Sequence, residues 1–488
     1  MSAPAFVPQF REALEAADYT YDAVAELLGP TGHAALSRNE TTPALRRTTG
    51  RSALETLTRL FLLQTPVSVE RAEQALPGLV DKLCNAGLLE QSVSEVAARM
   101  DVRPYAEGDR DLWVVSDLTP GLDGAPNKVG SDHVLGISSA STSLAQLTIR
   151  EPVGRALDLG TGCGVQALHL AEHAQEVIAT DVNKRALWMT EFNAVLNGVS
   201  TGSTSGTIRT RDGSFFEPVA GETFDLIATN PPFVISPATG ERLVYRDSGL
   251  PGDRVVEDIV RAAPDFLNEG GFAQVLANWV ISQGTPWDER LATWLDGSCD
   301  ALVVQREVVD PATYVELWLK DAGLHGLAGY AQRYDTWLSW FDEQGIEAVG
   351  FGWINLRKVS RAAKTEFLDW PYDVEQPIAP ALRDWFDHVI VTPDSVLTRR
   401  HDVQQEQIGL PGEADPEAVV LRQKAGLRRA RTADTVEAAL VGACDGDLSV
   451  GQILDAVAQL LEVDPAETRA TYLPAAQSLA DQGFLVSP

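Results

Sequence analysis

The sequence predicts an α/β fold: a seven-stranded, Rossmann-like sheet with helical, winged-helix-like modules at its N- and C-terminal ends. Three observations predict it. Strand-like and helix-like runs alternate from about residue 151 to 360, the pattern of a mainly parallel sheet with helices on both faces. A glycine-rich turn, DLGTGCG (Asp158 to Gly164), follows the first strand candidate. Four consecutive strand ends carry polar residues, Asp158, Asp181, Asp212 and Asn230, and in open α/β sheets ligands bind beyond the carboxyl ends of the strands.

A chain of 488 residues is long enough for two to four domains. We read a helical N-terminal domain over 1–118, the α/β core over 119–360 and a mainly helical C-terminal domain over 361–488. The formal charge of −30 argues against a whole-molecule field that attracts nucleic acid or an anionic membrane, and leaves room for a local basic patch. The four cysteines are far apart, with no CxxC. That spacing suggests neither a zinc site nor a disulfide framework and fits a reducing cytoplasm. The first residues lack a basic stretch followed by an apolar one, and no apolar run approaches the length of a membrane span, so no membrane partner is expected.

The N-terminal segment reads as helices over Phe10–Ala17 and Tyr21–Leu28, with a stop at Gly29-Pro30, and then as three helical runs ending in a "GLL" strand. A hairpin follows between VRPYA and LWVVSDL. Arg38, Arg46, Arg47 and Arg51 give this segment a short basic run. Two readings stay open, docking of a nucleic acid or substrate and a helical cap that completes a cleft. The Gly-, Pro- and Asp-rich stretch from Thr119 reads as a loop that leads through the helix STSLAQLTIR into the core.

The core strand candidates are Ala156–Leu159, Val177–Thr180, Thr207–Arg211, Phe224–Thr229, Phe272–Ala277, Ala301–Gln305 and Ala348–Leu356. Gly160, Gly162 and Gly164 let the backbone turn sharply and approach a ligand closely. The helix after them presents free N–H groups. Asp181 ends the second strand about 20 residues on, where a carboxylate accepts ribose hydroxyls. Asp212 and Gly213 end the third strand, where an adenine edge would lie. Asn230-Pro231-Pro232-Phe233 ends the fourth. Proline stiffens this loop and fixes its carbonyls. The Asn side-chain oxygen and the Asn-Pro carbonyl can accept hydrogen bonds from a planar –NH2, and Phe233 can stack on the group that carries it.

With those motifs in hand, residues 130 to 360 resemble a class I S-adenosylmethionine-dependent methyltransferase of the small-methyltransferase type with an NPPF/Y motif. The resemblance implies a seven-stranded sheet with an antiparallel last strand, S-adenosyl-L-methionine as cofactor and no metal. It implies that Asp158, Gly160, Gly162 and Gly164 lie at the methionine moiety, Asp181 at the ribose, and Asp212 with Gly213 near the adenine. Asn230, Pro231, Pro232 and Phe233 would hold the acceptor nitrogen. NPPFVISP followed by YRDSGLPGDRVVEDIV is similar to release-factor glutamine methyltransferases. Phe233, where that family usually has Tyr, is more like the ribosomal-RNA guanine-N2 and adenine-N6 enzymes. The expected partner is therefore a release-factor-like protein or RNA.

In the tail, TPDSVLTRRHDVQQEQIGLPGEADPEAV reads as an exposed connection. A basic cluster follows, Arg422, Lys424, Arg428, Arg429 and Arg431. It is either an RNA contact or a solvated face paired with local acids.

Overall fold

The computed structural model describes residues 3–108, 110–125, 130, 132–199, 206–237, 250–324, 326–387, 389–410 and 417–488. It forms two compact units, one of Met1–Ala145 with Glu151–Trp370, the other of Gln146–Arg150 with Pro371–Pro488.

The first unit is built on one sheet. Its strands are β1 (Val153–Leu159), β2 (Ala174–Asp181), β3 (Thr207–Asp212), β4 (Phe224–Thr229), β5 (Leu267–Ser282), β6 (Cys299–Val309), β7 (Ile346–Lys358) and β8 (Thr365–Asp369). Their order is β8-β6-β7-β5-β4-β1-β2-β3. Strands β1 to β5 run parallel, and β7 lies antiparallel to both β5 and β6. The expected antiparallel seventh strand is therefore present. The expected total of seven is corrected to eight, because β8 adds to the edge, parallel to β6. Five residues, TEFLD, half-buried at the edge, carry too little alternation to announce a strand.

Apolar residues along β1, β2, β4 and β5 fill one face with the helix α4 (Arg254–Ala262). Leu157, Ile178, Ile227, Val256, Ile259, Val275 and Trp279 are all nearly inaccessible there. On the other side, α5 (Pro311–Asp321) and α6 (Tyr330–Glu343) pack Tyr314, Trp318, Trp337 and Phe341 against Val280 and Val349. Trp337 and Phe341 are buried, and Trp340 between them is half-buried.

The N-terminal part of this unit begins with helices Val7–Ala16 and Tyr21–Leu36. Gly29 breaks the second with a φ of 65° without ending it, so the expected stop at Gly29-Pro30 is a kink. A three-stranded sheet follows, in the order Val67–Ser68, Glu95–Ala98, Leu89–Gln91. The expected hairpin pairs Met100–Glu107 with Arg110–Asp117.

The hairpin's outer edge is taken by the helix α3 (Lys184–Leu196). Asn193 accepts from Val115 N–H at 2.8 Å and donates to Val115 C=O at 2.9 Å. Asn197, just past the helix, does the same for Trp113 at 2.9 and 2.8 Å. Four residues of helix rise about 6 Å and two residues of strand about 6.8 Å. The two amides therefore match alternate strand residues and satisfy an edge that would otherwise be buried unpaired.

The second unit holds two small sheets, one of Val403–Ile408, Ala418–Gln423 and Ala430–Ala433, the other of Asp445–Ser449, Val396–Arg399 and Leu485–Val486. Helices Thr435–Ala443, Val450–Leu460 and Pro465–Asp481 close over a core of Leu397, Leu440, Leu454, Leu479 and Phe484. The stretch expected as an exposed connection is mostly exposed, but it is corrected in holding two strands, Val396–Arg399 and Val403–Ile408. VQQEQI is polar at almost every position, so it pairs through its backbone and shows no apolar alternation.

Candidate functional site

The carboxyl ends of β1, β2 and β4 open into a cavity of about 570 Å³. Nine of the eleven residues singled out in the sequence line it: Asp158, Gly160, Gly162, Asp181, Gly213, Asn230, Pro231, Pro232 and Phe233. Gly160 and Gly162 have φ of 78° and 56°, a region other residues enter at a cost. A Cβ built on either would meet no atom within 4 Å, so both glycines leave room on the cavity side. The other two of the eleven lie outside the lining. Gly164 does not line the cavity; a Cβ there would lie 2.9 Å from the Thr190 backbone, so this glycine lets α3 pack close. Asp212 does not line it either; its half-exposed carboxylate sits 3.6 Å from Lys184 Nζ.

Asp181 is fixed by the turn it faces. It accepts from Gly162 N–H at 3.0 Å and from Asn183 N–H at 2.8 Å. Each oxygen keeps a second lone pair for a ligand hydroxyl. Burial raises its pKa, against the pull of those N–H groups. Asp158 is 2% exposed and accepts from Thr161 Oγ1 at 2.6 Å. Burial pushes its carboxyl up to about 7, and the neighbouring Asp181 charge adds to the rise.

Asn230 presents the most telling feature. The residue lines the cavity, and its Oδ1 is buried with no hydrogen-bond partner among the described residues. A buried amide oxygen left unpaired costs about 1–3 kcal/mol, a cost that a donor supplied by water or a ligand would remove. The loop behind it is braced. Thr229 Oγ1 donates to Leu159 C=O at 2.7 Å. Phe233 meets the edge of Trp318 at 6.1 Å between centroids. Tyr314 Oη accepts from Ile235 N–H at 2.9 Å. Asp253 takes no part in the cavity lining; its buried carboxylate is held by Arg290 at 2.7 and 2.8 Å and by Val280 N–H. Asp247 lies outside the described residues.

Sequence reasoning missed further members of the wall. Gln166 lines the cavity and donates to Ser141 C=O at 2.6 Å, and its buried Oε1 has no hydrogen-bond partner among the described residues. The one signal was a polar residue near the start of the mainly apolar run VQALHL, which also carries His169. The leading segment contributes His133, Val134, Ser138 and Ser141 to the wall. His133 Nδ1 lies 3.8 Å from Asp117 Oδ2. Among the described residues, no three His, Cys, Asp or Glu side chains gather to hold a metal ion.

This geometry can be set beside known proteins. The family described as methyltransferase small domain matches residues 136–289. The core of this chain is that of a class I methyltransferase. The matched stretch covers β1 to β5 and the cavity wall from Gly136 to Phe233, and it implies S-adenosyl-L-methionine as methyl donor. A domain of unknown function (DUF7059) matches residues 16–99, ahead of that core. Among curated relatives, the chain is 33% identical over 137 residues to the release factor glutamine methyltransferase of Xylella fastidiosa, covering 26% of this chain and 47% of that protein. It is 30% identical over 166 residues to the ribosomal RNA small subunit methyltransferase C of Idiomarina loihiensis, covering 34% and 42%. A protein from Methanocaldococcus jannaschii described as a protein N5-glutamine methyltransferase is 28% identical over 125 residues, covering 25% and 59%. The chain spans about half the length of the curated relatives it matches.

Proposed function

We propose that the protein is an S-adenosylmethionine-dependent N-methyltransferase acting on a planar amide or amine nitrogen. The buried, unpartnered Oδ1 of Asn230 on the cavity wall carries the reading. When bound, S-adenosylmethionine supplies a methyl group on a positively charged sulfur. Asp181 is the residue placed to hold ribose hydroxyls, and the open faces of Gly160 and Gly162 give room for the methionine part. Asp158 supports the turn between them through Thr161. Gly213 borders the adenine end.

The acceptor nitrogen donates its N–H to Asn230 Oδ1 and to the fixed Asn230 carbonyl. Those bonds hold its lone pair toward the methyl donor and take up positive charge as the nitrogen is alkylated. Pro231 and Pro232 keep the carbonyl in place, and Phe233 offers a flat apolar surface to the group that carries the nitrogen.

The first reading of the acceptor is a glutamine side chain in a release-factor-like protein, supported by the two glutamine methyltransferase relatives and by the NPPFVISP run. A base in RNA is the second, supported by Phe233 and by the ribosomal RNA methyltransferase relative. The helix, strand, helix, helix and hairpin order of residues 53–98 supports a winged-helix-like module ahead of the core.

Incubating the protein with methyl-labelled cofactor and cell extract, then digesting with protease or nuclease, separates the two acceptors. Label in neither fraction would sink the reading. Asn230→Ala should lower turnover about 100- to 1000-fold, with S-adenosylhomocysteine affinity unchanged by calorimetry. Full activity in that variant would remove Asn230 from the acceptor site.

A further inference from the structure

Cations are scarce in this chain, with 39 Lys and Arg against 69 Asp and Glu. Most arginines of the first unit are accordingly drawn into carboxylate pairs, such as Arg103–Asp101, Arg185–Asp117, Arg211–Glu222 and Arg290–Asp253. One place breaks this pattern. Arg46, Arg47 and Arg51 are exposed on a single turn, and among the described residues none has a carboxylate within ion-pair distance. Arg47 donates to Leu27 C=O at 3.1 Å. Two more arginines reach the same turn from behind. Arg59 donates to Thr48 C=O at 3.1 Å, and Arg71 to Gly50 C=O at 2.9 Å. The one acid at the turn, Glu55, accepts from Gly50 N–H, Ser52 N–H and Ser52 Oγ.

The basic cluster of the tail is the control within the same molecule. Arg422 is paired with Glu406 and Arg431 with Glu437, Lys424 lies 3.8 Å from Glu406, and Arg429 is buried. Two local acids pair with three cations of that cluster, whereas among the described residues no carboxylate pairs with Arg46, Arg47 or Arg51.

From this contrast we infer that the turn Leu45–Arg51 binds the phosphate backbone of RNA. Exposed guanidinium forks match phosphate oxygens in geometry and in charge. Holding three such groups, with two half-buried arginines behind them, around one turn costs self-repulsion that an anionic partner relieves. Thr41, at the start of the helix leading into the turn, is bonded through its N–H and Oγ1 to Asp123. Asp123 belongs to the stretch whose continuation lines the cavity. RNA bound at the turn is therefore held on the same unit as the cavity. The inference goes beyond methyl transfer itself and stands whether the accepting nitrogen is a base or a glutamine of an RNA-associated protein.

The test uses the full chain, with a fluorescein-labelled single-stranded RNA of mixed sequence as probe and anisotropy read over a salt series. Arg46→Ala with Arg51→Ala removes two side chains that make no hydrogen bond among the described residues. The RNA affinity should fall roughly tenfold, and the slope of log affinity against log salt should become shallower by about 1.4, two contacts at about 0.7 each. Arg46→Lys with Arg51→Lys should retain most of the affinity. Thermal midpoint and S-adenosylhomocysteine affinity should not change in either variant, which separates this failure from misfolding and from failure of the methyltransferase reading. A wild-type chain that does not bind the RNA would overturn the inference. So would an unchanged affinity and slope in the alanine variant, or a preference for polyglutamate over the RNA.

Discussion

Replacing Asp158 with Asn tests whether the floor of the cavity is as dry as the structure makes it. The carboxyl is 2% exposed, and burial raises its pKa from 3.8 to about 7 in the fold. In the unfolded chain it ionises near its ordinary value. Below pH 3.8 both states carry the proton and the residue adds no pH dependence. Between 3.8 and about 7 the unfolded state gives up its proton while the folded state keeps it, so stability declines as pH rises. The gap of 3.2 units (7 minus 3.8) corresponds to roughly 4 kcal/mol at about 1.4 kcal/mol per unit. Asn preserves an acceptor for Thr161 Oγ1 and cannot ionise. Urea unfolding of both proteins from about pH 4 to 8 should therefore show the Asp158→Asn variant gaining on the wild type by about 4 kcal/mol, nearly all of it below about pH 7. Other titrating groups cancel in the difference. A difference that stays flat with pH would show that Asp158 is ionised in the folded protein, and that burial does not govern this end of the cavity.

Two further changes probe the donor side and the hairpin dock. Asp181→Ala removes a carboxylate placed for charge-assisted bonds to ribose, each worth about 1.5–3 kcal/mol, and should weaken S-adenosylhomocysteine binding about ten- to hundredfold by calorimetry; an unchanged dissociation constant would take Asp181 out of the site. Asn193→Leu strips partners from Val115 N–H, Val115 C=O and Cys163 C=O and should lower unfolding free energy by about 3 kcal/mol or more, whereas a loss under about 1 kcal/mol would mean that water replaces the amide.

The parts legible in the sequence are those where local chemistry and structure coincide. The glycine turn, the carboxylate at the end of β2 and the proline-stiffened end of β4 each announce themselves within a few residues, and the parallel sheet brings their ends together. Gly164 shows where that logic stops. It belongs to the same motif, yet its reason is the approach of Thr190 from α3, a contact that no local pattern encodes. Asp212 ends a strand as the others do, but β3 is the sheet's edge and its side chain turns to solvent beside Lys184. Polar strands of the second unit and the five residues of β8 were silent because backbone pairing, not apolar burial, defines them. Charge was legible only as clusters: the sequence shows two of them, and only the fold shows that Glu406 and Glu437 neutralise much of one.

On the proposed reading, the acceptor side of the cavity depends on residues far from its motif. An asparagine oxygen can polarise an acceptor only if its position is fixed before the acceptor arrives, since reorganising it during the reaction would consume the gain. Proline fixes the backbone at Pro231 and Pro232, but it does not hold the loop against the sheet. That is done by Trp318 against Phe233 and by Tyr314 Oη on Ile235 N–H, both from α5, which lies between β6 and β7 in the chain. On the other flank Thr229 Oγ1 bonds Leu159 C=O, one residue before the glycine turn. The strand end that presents Asn230 is thus tied directly to the strand end that carries the donor turn. A shift in either would move the other, so the distance between donor and acceptor is set by the sheet rather than by the loops.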